Sequence, residues 1–145
     1  MRVQPLARTL GIAGALACVA LTTALTAALT TVLAQEGHPL IGTWSGEWGP
    51  SRTERAPVLI VMEWQTTTLS GVINPGEPDE APIKGGRLDS TKWTLHLEAE
   101  AKDERGNPIP IVVDGKLENI GSHNRTLTGT WIRGKVKGDF KLTRE

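Results

Sequence analysis

A single cysteine, one phenylalanine and no tyrosine occur among the 145 residues, and no net charge remains from 16 Lys and Arg against 16 Asp and Glu. One cysteine excludes an intramolecular disulfide framework and any CxxC-type zinc site. A zero balance argues against a generic polyanion binder, because nucleic-acid-binding proteins normally carry a basic excess. Phosphate loops and dinucleotide fingerprints do not occur in the sequence, and Ser45 stands in Thr-Trp-Ser-Gly rather than in a Gly-x-Ser-x-Gly nucleophile turn. The three histidines, His38, His96 and His123, share no chelating spacing. Neither a metal nor another cofactor is therefore expected. The length allows one domain with a short appendage.

The appendage is the first 34 residues. Arg2 and Arg8 are their only charges, and no acid precedes Glu36. Residues 10–34 form an uncharged run of Ala, Leu, Thr, Gly and Val that ends in Val32-Leu33-Ala34. A basic start, an apolar stretch and a small-residue cleavage site describe a secretory signal peptide. An uncleaved membrane anchor is the rival reading, since about 20 helical residues span a bilayer core; the interspersed threonines favour cleavage. Leu16-Ala17-Cys18 is similar to a lipoprotein processing site, but the apolar run continuing past Cys18 argues against it. Export to the periplasm or beyond is expected, with membrane attachment only if the segment is retained. Residues 35–145 then form a cysteine-free domain with 14 bases and 16 acids. Packing alone must hold it together.

That domain reads as strands. No segment sustains a helical apolar pattern over three turns, whereas short period-two runs alternate with Gly, Pro, Asn and Asp. Residues 136–143 and 93–99 alternate without error, and 126–131, 69–73, 56–64, 109–117 and 41–48 follow the same rule. Residues 82–88 supply a weaker strand interrupted by Gly85-Gly86. About eight short strands and no helix predict an all-β fold, an antiparallel up-and-down barrel rather than a sandwich. Closure would remove the edges, and glycines inside strand patterns would supply the bends. Residues 36–80 hold seven acids and two bases, and 125–145 hold six bases and two acids. If the first strand pairs with the last, these oppositely charged segments meet.

Five tryptophans are the unusual asset of this composition. Parity places Trp44 and Trp48 on one face, joins Trp93 to Leu95 and Leu97, and joins Trp131 to Leu127. The rings either fill a small barrel or line a pocket for an apolar or aromatic ligand. Trp48, beside Gly49-Pro50, is the expected partly exposed ring. Gly42-Thr43-Trp44 recurs as Gly129-Thr130-Trp131, and a late basic residue, Arg144, falls near the end of the last strand. A Gly-x-Trp on the opening strand with a late Arg resembles the lipocalin and avidin-like barrels. The resemblance implies that Trp44 closes one barrel end with Arg144 packed over it. GTWSG at 42–46, LSG at 69–71, LTGTW at 127–131 and KLTR at 141–144 are also similar to a group of small exported bacterial domains. Those lipocalin-like (calycin-type) barrels have no established activity and are sometimes joined to secreted hydrolases.

Other polar residues read as surface. His96 falls on the polar side of its strand, and His123 sits in a turn. Glu77, Asp79 and Glu80 make an acidic, proline-bearing loop without calcium-loop spacing. Parity puts Glu47 outside, opposite Trp44 and Trp48. Arg133, Lys135, Lys137, Lys141 and Arg144 form a basic stripe. The expectation is an exported, non-catalytic binding module in which Trp44, Trp48, Trp93, Trp131 and Arg144 contact a modest apolar ligand at one end of the barrel. The alternative is a protein-interaction or protease-inhibitor-type module with a filled core and a protein partner. An open interior favours the first and a packed one the second.

Overall fold

The computed structural model describes residues 37–145, so the signal-segment reading of residues 1–34 lies outside the described residues. Alternating side chains produce eight strands: β1 (Gly42–Gly49), β2 (Ala56–Gln65), β3 (Thr68–Ile73), β4 (Ala81–Asp89), β5 (Thr94–Lys102), β6 (Pro108–Glu118), β7 (Thr126–Arg133) and β8 (Val136–Arg144). Each pairs antiparallel with its sequence neighbour, and β1 pairs with β8 to close the barrel. The all-β, up-and-down barrel expected from the sequence is the observed fold.

Register makes the interior a stack of matched rows. Trp44 stands opposite Ile60 of β2 and Arg144 of β8, and Trp48 stands opposite Ala56 and Phe140. Residues opposite one another share a face, so one inward residue fixes the orientation of its neighbours. Leu95, Leu97, Ala99 and Ala101 of β5 are all buried, as are Ile111, Val113 and Leu117 of β6. With Ile60, Met62, Leu69, Ile73, Leu127, Phe140 and Leu142 they join the three inward tryptophans in one hydrophobic cluster. Eight strands enclose an interior that side chains can just fill. The irregularity signalled by Gly85-Gly86 is a bulge: Ile83 pairs with Ala99 and Gly86 with Leu97, one extra residue on β4.

Two glycines show how little room the wall leaves. On β7, Gly129 faces Gly115 of β6 and Phe140 of β8. A Cβ on Gly129 would lie 2.0 Å from the Asp114 carbonyl oxygen and 2.6 Å from the Gly115 Cα. Gly42 has φ of 129°, and a Cβ there would lie 2.9 Å from Arg144 Nε.

The first and last strands meet as the charge asymmetry suggested, but the ion pair at the seam has the opposite sense. Arg55, one of two bases in residues 36–80, reaches Glu47 Oε1 at 3.3 Å and also binds Asp139 of β8. Its Nη1 donates to the Gly49 carbonyl at 3.4 Å, tying the β1–β2 loop to the seam. A first-half acid does meet a late base elsewhere: Asp79 accepts from Arg133 at 3.4 Å, from the loop between β3 and β4 to the end of β7.

Because the collision at Gly129 is with backbone, Gly129→Ala is expected to destabilise the domain by about 1–3 kcal/mol. Gly121→Ala, where a Cβ meets nothing within 4 Å, is expected to stay within about 0.5 kcal/mol of the parent. Urea unfolding midpoints of the two variants measure the contrast; equal midpoints would refute the close approach of β6 and β7.

Candidate functional site

The tryptophan and arginine residues singled out in the sequence divide between the two ends of the barrel. At the end carrying the β2–β3 and β4–β5 turns, Trp44 is wholly buried and its indole Nε1 donates to the Leu40 carbonyl at 2.8 Å. Leu40 is itself fully buried, so residues 38–40 close this mouth. Arg125 fastens the closure from the side, donating to the Ile120 carbonyl at 2.8 Å and the Pro39 carbonyl at 3.2 Å. His38 stacks on Trp64 with ring centroids 3.8 Å apart. Arg144 lies opposite Trp44 in register, and its Nε is buried without a hydrogen-bond partner among the described residues.

At the other end Trp48 and Trp131 pack together with ring centroids 4.7 Å apart and a 32° tilt. Trp131 Nε1 donates to the Asp139 carbonyl at 3.1 Å, which satisfies its one polar atom. The partly exposed ring expected at position 48 is not found: Trp48 is 7 % exposed. Trp48 lies within β1, which ends at Gly49, and Trp131 covers the indole from β7. Over this pair lies a shallow cleft of about 340 Å³, bounded by Pro50, Thr53, Glu54 and Arg55.

Trp93 packs against the core that holds Leu95 and Leu97, but from the turn before the strand rather than from within it. It has φ of 56° and precedes β5, which begins at Thr94, so the strand parity that joined it to Leu95 does not reach it. Its ring is half-buried against the core, and its carbonyl accepts from the Leu117 amide at 2.8 Å. The basic stripe is likewise divided. Lys135, Lys137 and Lys141 are exposed, whereas Arg133 turns to Asp79 and Arg144 covers Gly42.

The acidic loop is more than a solvated run. Asn74, with φ of 49°, accepts from the Leu59 amide at 2.9 Å and donates to Asp79 at 2.9 Å. Glu80 accepts from the Gly76 amide at 2.5 Å. These bonds fold the loop onto the barrel rim. Glu47 is exposed, as parity required.

A polar site that single-strand parity could not reveal lies on the outer wall. Register places Arg87 of β4, His96 of β5, Asp114 of β6 and Thr130 of β7 in one outward row. Beside it runs a second row, Asp89, Thr94, Lys116 and Thr128. Together they line a cleft of about 730 Å³. His96 Nδ1 is 2.6 Å from Asp114 Oδ1, and its Nε2 is 3.5 Å from Glu98 Oε1. His96 and Asp114 are 18 residues apart, and only the pairing of β5 with β6 joins them. Among the described residues no group of three His, Cys, Asp or Glu side chains is arranged to hold a metal ion.

The geometry defines a closed eight-stranded antiparallel barrel with a packed interior and a polar cleft on its outer wall. In comparisons with known proteins the chain matches no family model, no curated protein and no solved structure.

Two histidines respond to pH in opposite senses. The hydrogen bond to Asp114 raises the pKa of His96 above 6.5, against some desolvation and the Arg87 charge, with Glu98 assisting. Its stabilising contribution is complete below 6.5 and is lost as pH rises through the raised value. Burial against Trp64 lowers the pKa of His38. Its contribution is complete above 6.5 and is lost as pH falls through the lowered value. An NMR titration is expected to show His96 titrating above His38. Asp114→Asn should bring His96 down toward its ordinary value and leave His38 unmoved; an unchanged His96 would remove the cross-strand pair.

Proposed function

We propose that the protein is an exported, non-catalytic recognition module of the protein-interaction type. In this reading the barrel is a filled scaffold, and binding is done by its outer wall and rim loops. The observation that carries it is the packed interior, in which Trp44, Trp48, Trp131 and Phe140 occupy the space that a ligand would need. The buried polar side chains of the described residues, Asn74 and Arg125, are committed to hydrogen bonds that fasten the rims. Export rests on the sequence of residues 1–34. The likeness to lipocalin-like exported domains through residues 42–46, 69–71, 127–131 and 141–144 supports the same compartment and scaffold.

A second reading keeps a small ligand. The cleft over Trp48 and Trp131 is near the lower limit of about 300 Å³ for small-molecule sites, and both rings form part of its lining. A modest aromatic or apolar molecule would rest on them there rather than enter the barrel.

Tryptophan emission separates the two. Titration with fatty acids, haem and aromatic metabolites is expected to leave the spectrum unchanged, because the rings are already packed against protein. A saturable change would overturn the filled-scaffold reading. If that change disappeared in Trp131→Phe, the ligand would belong to the cleft over the indole pair.

A further inference from the structure

A separate cleft, of about 500 Å³, lies where the loop between β3 and β4 folds back over the outer wall of β1 and β2. Its floor is apolar, made by Pro57 and Leu59 of β2 and Pro75 of the loop. The charged residues of its lining are Glu77 and Asp79, and no Lys, Arg or His lines it. Asp79 is half-buried and paired with Arg133 at 3.4 Å. Glu77 and Glu80 are exposed and take part in no ion pair among the described residues. Three carboxylates against one guanidinium leave the loop with an excess of negative charge. The seam beside it is balanced by itself, with Glu47 and Asp139 against Arg55 and Lys141. The floor adds a neutral acceptor. Leu59 turns its amide and carbonyl toward Asn74, and alternation along an antiparallel strand turns the Pro57 carbonyl to the same side. β3 ends at Ile73, opposite Ile60, so it does not pair with Pro57 there.

From this placement we infer that the cleft receives an Arg or Lys side chain from an extended segment of a protein partner. The inference rests on the reading of the protein as an interaction module with a filled barrel, and it locates that interaction. The alkyl stem lies on Pro57, Leu59 and Pro75, and the cationic head meets Glu77 and the Pro57 carbonyl. An apolar floor with a carboxylate rim selects for such a side chain. A purely apolar residue leaves the carboxylates unanswered, and an acidic one is repelled. The same carboxylates repel nucleic acid and anionic surfaces. The loop is ordered before a partner arrives. Asn74 is buried at φ of 49° and binds both Asp79 and the Leu59 amide, and the Glu77 amide donates to the Asn74 carbonyl at 3.1 Å. Such a loop loses little freedom on binding. Strand addition is disfavoured at this edge, because Pro57 has no amide to donate.

Backbone amide NMR of the full chain tests this with the peptide acetyl-Gly-Leu-Arg-Leu-Gly-amide, its citrulline counterpart as the neutral isostere, and spermidine as a small cation. The Arg peptide is expected to shift the Leu59, Asn74 and Glu77 amides saturably and less at high salt, and the citrulline peptide to bind about tenfold more weakly. Glu77→Gln is expected to weaken binding of the Arg peptide about fivefold with an unchanged melting temperature. Glu104→Gln, on the exposed turn between β5 and β6, is expected to leave it unchanged. The absence of saturable shifts at these amides overturns the inference, as does equal binding of the citrulline peptide or equal weakening by Glu104→Gln. Tighter binding of spermidine at the same amides also overturns it and assigns the cleft to a small polyamine. Shifts of these amides with protein concentration alone overturn it in favour of a second copy of the chain. No tryptophan lines this cleft, so these failures are distinct from failure of the filled-scaffold reading, which tryptophan emission reports.

Discussion

Everything in this domain follows from the pairing of β1 with β8. An open eight-stranded sheet would present two rows of unpaired backbone groups, and closure supplies both with partners. The register that closes the sheet also sets Trp44 against Arg144 and Trp48 against Phe140. Large inward side chains thus meet across the seam, where two open sheet edges would otherwise stand. The same pairing brings Asp139 within reach of Arg55, so the loop after β1 is tied to the strand that completes the barrel. Exposed ion pairs add little stability individually; here the pair orients a loop whose position the hydrophobic seam already determines.

Closure at eight strands also decides where chemistry can happen. The interior of such a barrel is narrow, and tryptophans bury about 150–250 Å² each. Three of them point inward, and glycines such as Gly129 and Gly115 are needed where Phe140 must also be accommodated. Polar groups are displaced to the wall and rims. That displacement produces the cross-strand rows on β4–β7 and the Asn74–Asp79–Arg133 fastening at one mouth. It also gives the outer wall its mixture of charges, because residues from four separate strands are aligned there by hydrogen-bond register.

The legibility of the sequence varied with the range of the interaction involved. Strand number, strand limits and the outward position of Glu47 could be read from alternation, which is a local property of each strand. The weak strand at Gly85-Gly86 was readable as an interruption, and the bulge is its structural form. Trp93 reaches the core with Leu95 and Leu97 as expected, though from a turn with positive φ one residue before β5. Trp48 was expected to be partly exposed because it adjoins a Gly-Pro turn, yet Trp131, 83 positions later, covers it. The stacking of His38 on Trp64 had no signal along the chain and depends on how residues 38–40 fold over the barrel mouth. The partnership of His96 with Asp114 had no signal within either strand; a register assumed between β5 and β6 could have found it.

By itself the sequence determined the all-β class, about eight strands and the inward faces of β1, β5 and β7. Side-chain period and turn residues are written along the chain, and closure rewards the pattern they set. Only the tertiary structure decided which inward residues touch, which charges neutralise one another and which stay free. Those outcomes depend on register between strands distant in sequence, and a one-residue slip would change every partner. Arg55 with Asp139, Trp48 with Trp131, and His96 with Asp114 are products of that register rather than of composition.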